Sequence, residues 1–186
     1  GKSNILSRLE KYGIKIDSKD PKILKILEEV KDREFSGYSY DGADASFELL
    51  ANRLLGNVPD YLKVESYSVT VEKLDKLKTN AEVVFLIDGK KIKCNGKGNG
   101  PVNALDNAIR ENFSKVEKYY NFFSDLKLLD YKVRILNTGT EAITRVLIES
   151  TDKSGVSWFT IGVSPNIIEA SFKALIDSLD YKLFKE

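Results

Sequence analysis

The chain has 186 residues, 42% of them hydrophobic and 31% charged, enough to bury a core and too apolar for a disordered or fibrous polypeptide. Lysine and arginine number 29 against 28 acidic residues, so no basic excess draws the protein to nucleic acid or to an anionic membrane. One cysteine excludes an internal disulfide, and the absence of histidine removes the commonest metal ligand and general base.

No run approaches the ~18 apolar residues needed to cross a bilayer, and no signal peptide opens the chain, which reads as cytoplasmic. The lack of any methionine implies a piece of something longer.

The first sixty residues read as helices. In "SNILSRLEKYG" Ile5, Leu6 and Leu9 fall at helical spacing before Gly13. Pro21 opens a second helix whose Ile23, Ile26, Leu27 and Val30 form one stripe. A third follows "GYSYDG", with Asp41 as its expected N-cap and Ala43, Phe47, Leu50 and Leu54 as its expected buried side. Gly56, Asn57 and Pro59 end it. These helices form a linker subdomain over residues 1–62.

From Lys63 the period changes to two. "VESYSVTVEKL" and "NAEVVFLIDGKKIKCNGKG" alternate apolar and polar residues, and Asp88-Gly89 is a strong hairpin turn. Cys94 lies in this alternation as a small strand residue, since no histidine is present to activate it. After "GNGP" a helix runs through Val102, Leu105, Ile109, Phe113 and Val116. Three more strands follow, "LLDYKVRIL", "AITRVLIES" and "VSWFTIGV", and then a terminal helix in "SPNIIEASFKALIDSLDYKLF".

Two βββα repeats therefore organise residues 63–186. Gly96, Ala104 and Ala108 return as Gly162, Ala170 and Ala174, each 66 positions later, and Tyr67, Val69 and Val71 return as Tyr131, Val133 and Ile135, each 64 later. Each repeat is too small to bury both sheet faces alone, so the repeats pair, and the paired module is expected to dimerise. The fold class is α+β.

"KGNGPVNALDNAI" is a glycine-rich turn from strand to helix, the kind of place that grips anions with backbone N–H groups. It lacks the lysine-hydroxyl pair of a P-loop, and its strands are antiparallel, unlike a dinucleotide fold. A carboxylate grip and a plain sharp turn with Pro101 at the first helical position both remain.

"GKGNGPVNALDNAI", "LLDYKVRILNTGTEAITRVLIES" and "TIGVSPNIIEASFKALIDSL" resemble the C-terminal regulatory domain of the 2-isopropylmalate synthase and citramalate synthase family. "GKSNIL" and "GYSYDGADASFELL" resemble the linker after that family's catalytic barrel, the latter being nearest the citramalate synthase branch. The resemblance covers essentially the whole chain. It implies a homodimeric regulatory domain attached to the barrel of the same polypeptide, with isoleucine or leucine as feedback inhibitor. The barrel condenses acetyl-CoA with a 2-oxo acid, which is pyruvate in the citramalate branch, and the divalent metal belongs there. No cofactor and no catalytic residue is expected in this chain, which should show no condensation activity alone.

Carried over residue by residue, the resemblance implies an effector pocket. Gly98, Asn99, Gly100 and Pro101 supply backbone, and Val102, Asn103 and Asp106 continue it along the helix. Leu128, Tyr131 and Ile135 form a wall, with Thr144 and Val146 on the neighbouring strand. Pro165 and Ile167 come from the matching turn of the second repeat. The mixture suits a branched amino acid: N–H groups for a carboxylate, an acid or amide for an ammonium, aliphatic walls for a side chain.

Overall fold

The computed structural model describes residues 1–113, 116–138 and 141–186. Its elements are α1 (Lys2–Lys11), α2 (Pro21–Ser36), α3 (Asp44–Leu54), β1 (Lys63–Lys73), β2 (Leu77–Ile87), β3 (Lys90–Gly98), α4 (Pro101–Phe113), α5 (Tyr120–Phe123), β4 (Lys127–Thr138), β5 (Glu141–Thr151), β6 (Ser157–Ser164) and α6 (Ile167–Phe184). The two βββα repeats are present, as three-stranded sheets ordered β1-β2-β3 and β4-β5-β6. α5 carries no periodic signal in the sequence because a single turn is shorter than the pattern that would announce it.

The chain falls into two compact units. A helical unit comprises Gly1–Pro59, Asp130–Glu149 and Trp158–Tyr181; a hairpin unit comprises Asp60–Leu129, Ser150–Ser157 and Lys182–Glu186.

In the helical unit, Ile5 and Leu9 of α1, Ile26 and Val30 of α2, and Phe47, Leu50 and Ala51 of α3 share one core with Ile161 and Val163 of β6. The apolar stripes of the helices are thus closed by a strand of the second repeat. Asp20 caps α2 by accepting from the Lys22 N–H at 2.9 Å, and Pro21 fills the first position, where no N–H is needed.

Two expectations for α3 fail. Its N-cap position is Ala43, and Asp41 sits in the preceding turn. Leu54 is 37% exposed, because at the helix end it is the following residue, Leu55, that packs against the core, while Leu50 and Ala51 stay within it. Polar contacts also tie α3 to α6. Ser46 donates to Asp177 at 2.8 Å and accepts from the Ile161 N–H at 2.9 Å. Arg53 donates to both Asp177 and Asp180, and Tyr181 donates to Glu48 at 2.8 Å.

In the hairpin unit, β1 and β2 pair antiparallel from Lys63↔Leu86 to Lys73↔Leu77, with an irregularity between Val64 and Ser66. β2 and β3 turn at Asp88 and Gly89, whose φ of 52° and 77° are those of a type I′ turn. Alternate β2 residues, Ala81, Val83, Phe85 and Ile87, are buried on one face. Ala104, Leu105, Ala108, Ile109 and Phe113 are the buried apolar positions of α4, which packs on β3 and β2. Val116, expected to continue the stripe, lies beyond the helix end.

The triplets shared by the repeats have a steric cause. A Cβ on Gly96 would lie 2.5 Å from Ala108 Cα and 2.9 Å from the Ala104 carbonyl oxygen, both backbone. A Cβ on Gly162 would collide with the Ala170 carbonyl oxygen and lie 2.8 Å from Ala174 N. Each repeat brings its helix onto its third strand at the same close contact.

The hairpin unit also holds a buried charge cluster. Lys182 Nζ, on a side chain 3% exposed, lies 2.5 Å from Asp152, 3.1 Å from Glu186 and 3.4 Å from Asp125. Burial alone would raise the Asp152 carboxyl, but hydrogen bonds from Lys182 and Ser154 hold it well below the usual carboxylate range. Its contribution to stability is therefore fully present above the ordinary aspartate value of about 3.9 and is lost as pH falls below that value. Asp152→Asn should accordingly flatten the fall in urea midpoint between about pH 4 and pH 2. An equally steep fall in the variant would contradict this.

Candidate functional site

The turn from β3 into α4 is built by α4's own side chains. Asn103 Oδ1 accepts from the Asn99 N–H at 3.1 Å, and Asn107 donates to the Lys97 carbonyl at 2.7 Å. A Cβ on Gly98 would meet Asn103 Oδ1 at 2.5 Å and its carbonyl carbon at 2.7 Å, so Gly98 is glycine for packing. Asn103, expected to face a ligand, is engaged in holding the turn.

Gly100 is different. A Cβ there would meet nothing within 4 Å, and its φ is not among the positive ones. Neither the space nor the backbone of the fold requires glycine. The first intrahelical bond runs from the Ala104 N–H to the Gly100 carbonyl, and Pro101 has no N–H. The N–H groups of Val102 and Asn103 are consequently the first-turn donors that helix geometry leaves without an intrahelical acceptor.

The second repeat resolves the same geometry otherwise. Asn166, 66 positions after Gly100, turns its side-chain oxygen onto the N–H groups of Ile168 at 2.8 Å and Glu169 at 3.3 Å. Those residues correspond to Val102 and Asn103. One repeat closes its helix N-terminus with its own side chain, while the other has a glycine there.

Further along α4, Asp106 is buried and accepts from Arg110 Nε at 2.9 Å. Burial pushes the Asp106 carboxyl up, against the pull of Arg110. The residue expected to receive an ammonium thus already has a cation on one oxygen.

In the helical unit, the Tyr131 hydroxyl and Ser171 Oγ share a hydrogen bond of 2.9 Å, and Ser171 donates to the Ile167 carbonyl at 2.7 Å. Tyr131 of β4 is thereby joined to the first turn of α6, where Ile167 is 47% exposed and Pro165 is exposed just before it. Ile135 follows Tyr131 on the same face of β4 and is 67% exposed. Thr144 and Val146 of β5 are buried, Val146 completely, so they support this face from within the core. Leu128 is half-buried and falls on the opposite face of β4 by strand alternation. Leu136, which shares its parity, lies against Gly37 while Tyr131 reaches α6.

A family profile described as the LeuA allosteric (dimerisation) domain matches residues 41–183. The chain belongs to that family. It is similar to the (R)-citramalate synthases of Geobacter sulfurreducens, 48% identical, and Aquifex aeolicus, 44% identical, each match covering 100% of this chain and 35% of the relative. The 2-isopropylmalate synthase of Paraburkholderia phymatum is 29% identical over 97% of this chain and 32% of its own length. The chain therefore spans about a third of the length of the relatives it matches.

Each repeat of this LeuA-type domain leaves its first strand partly uncovered. Tyr67, Val69 and Val71 pair with the buried Val83, Ala81 and Thr79 and so share the face on which α4 lies, yet Val71 is 53% exposed. In the other repeat Leu129, Val133 and Ile135 are 53%, 40% and 67% exposed along one face of β4. Among the described residues, no helix is long and apolar enough to cross a membrane.

Proposed function

We propose that this chain is the regulatory domain of a cytoplasmic citramalate synthase, in which it binds isoleucine and so inhibits the condensation of acetyl-CoA with pyruvate in isoleucine biosynthesis. The observation that carries the reading is the difference between the two helix N-termini. Where Asn166 closes α6, Gly100 leaves the Val102 and Asn103 N–H groups to an external acceptor. A carboxylate fits that position, since the helix dipole and two charge-assisted hydrogen bonds all favour an anion there. The ammonium lies near Asp106, sharing it with Arg110, or on a carbonyl of the turn.

The citramalate synthases among the relatives support isoleucine over leucine. Catalysis and its divalent metal belong to a part of the longer protein outside this chain. A melting-temperature survey with each of the common amino acids tests the reading, because only a ligand that binds the folded state raises the transition. Isoleucine is expected to raise it most. A shift by leucine alone would move the chain to the 2-isopropylmalate branch, and no shift by any amino acid would leave a dimerisation module.

Homodimerisation through the uncovered first strands belongs to the same proposal. Exposed apolar stripes on Val71 and on Leu129 to Ile135 are costly in water and suit a self-complementary interface. The chain should sediment as a dimer at tens of micromolar, and the double variant Val71→Asp with Ile135→Asp as a folded monomer. A monomeric parent, or an undisturbed dimer in the variant, would contradict it.

A further inference from the structure

The segment Asp125–Leu126, which leads from α5 into β4, is gripped from two sides within the hairpin unit. Arg110 of α4 donates through Nε to Asp106 and through Nη1 to the Leu126 carbonyl. Lys182, in the last turn of α6, places its buried ammonium 3.4 Å from Asp125 and 2.5 Å from Asp152. Asp125 also accepts from the Lys153 N–H at 3.1 Å, at the turn between β5 and β6. A continuous polar path therefore runs from Asp106 through Arg110 to Leu126, across one peptide to Asp125, and on to Lys182 and Asp152.

We propose that Arg110 and Lys182 act as one clasp on Asp125–Leu126, so that the C-terminal turn of α6 and the α4 helix that begins at Pro101 loosen or tighten together. The chemistry suits a two-position device better than a graded one. Lys182 has three carboxylates around its buried ammonium, one of them, Asp152, shared with Lys185 at 3.5 Å, and the guanidinium of Arg110 spans two acceptors on different segments. The buried ammonium of Lys182 is held by its paired carboxylates, and the partly exposed guanidinium of Arg110 gives up two acceptors on different segments when it moves. Coupling of this kind requires a physical element with two arrangements, and the segment between the repeats is that element.

Hydrogen exchange on the full 186-residue chain tests the clasp without any ligand. Asp125→Asn keeps the shape and the bond from the Lys153 N–H but removes the charge that faces Lys182, and neither of these partners belongs to α4. The expected result is that amides of Asp106–Arg110 in α4 exchange ~tenfold faster, while β2 amides Val83–Ile87 keep their protection. Arg110→Lys, which retains the charge but cannot span both acceptors, should in turn speed exchange at Lys182–Glu186. Changes confined to the neighbours of each substitution would overturn the clasp. So would equal acceleration throughout β2, which reports global loss of stability rather than coupling.

Discussion

Replacing Gly162 with alanine should cost about 3 kcal/mol of stability, the upper end of what an added carbon costs in a packed core. The new Cβ would meet the Ala170 carbonyl oxygen and, at 2.8 Å, Ala174 N, and both belong to the backbone of α6. No rotamer change relieves such a clash, so α6 must move off β6 or the strand must bend. Gly96→Ala should behave alike against Ala104 and Ala108 of α4. Urea denaturation measures both, read as a lower midpoint at unchanged slope. Loss of less than ~0.5 kcal/mol, the ordinary range of surface substitutions, would mean that the close contact is not what the repeat preserves.

Gly100→Asn should separate binding from stability. Nothing lies within 4 Å of a Cβ at Gly100, so the substitution should be tolerated by the fold. The new side chain can turn onto the Val102 and Asn103 N–H groups as Asn166 does onto Ile168 and Glu169. Asparagine and glycine differ at a helix N-cap by only a few tenths of a kcal/mol, so the urea midpoint should stay or rise slightly. The carboxylate of isoleucine would lose both donors. Charged hydrogen bonds contribute about 1.5 to 3 kcal/mol each, so affinity should fall by more than a hundredfold. Unchanged binding in a folded variant would remove the α4 N-terminus from the site.

The parts of this molecule that are legible in the sequence are those written as periods. Alternation in "NAEVVFLIDGKKIKCNGKG" marks two strands, and Asp88-Gly89 has the residues a type I′ turn needs. The spacing of glycine and two alanines in each repeat is visible as a correspondence, and the structure supplies its cause, a helix backbone against a strand. Polar ties are not legible. Asp41 looks like a cap because aspartate before a helix usually is one, yet α3 starts later and holds its place through Ser46 and Arg53. Nothing in the sequence singles out Lys182, and only the fold brings Asp125 and Asp152 to it.

The candidate site shows the same division. The match of Gly100 to Asn166 follows from extending the 66-residue offset through the turn, but its meaning needs the Asn166 hydrogen bonds. Asn103 and Asp106 read as ligand-facing polar residues, whereas their partners, Asn99, Asn107 and Arg110, come from the same turn and helix. Leu128 and Tyr131 read as one wall, although strand alternation alone separates odd from even positions.

Calorimetric titration of isoleucine into the 186-residue chain tests the central claim most directly. The expected result is saturable heat with one isoleucine per chain, since only one of the two helix N-termini lacks a side-chain cap of the Asn166 kind. Leucine should bind more weakly by roughly tenfold to a few hundredfold, the range that one misplaced methyl allows. No heat with isoleucine at millimolar concentration, or tighter binding of leucine, would contradict it.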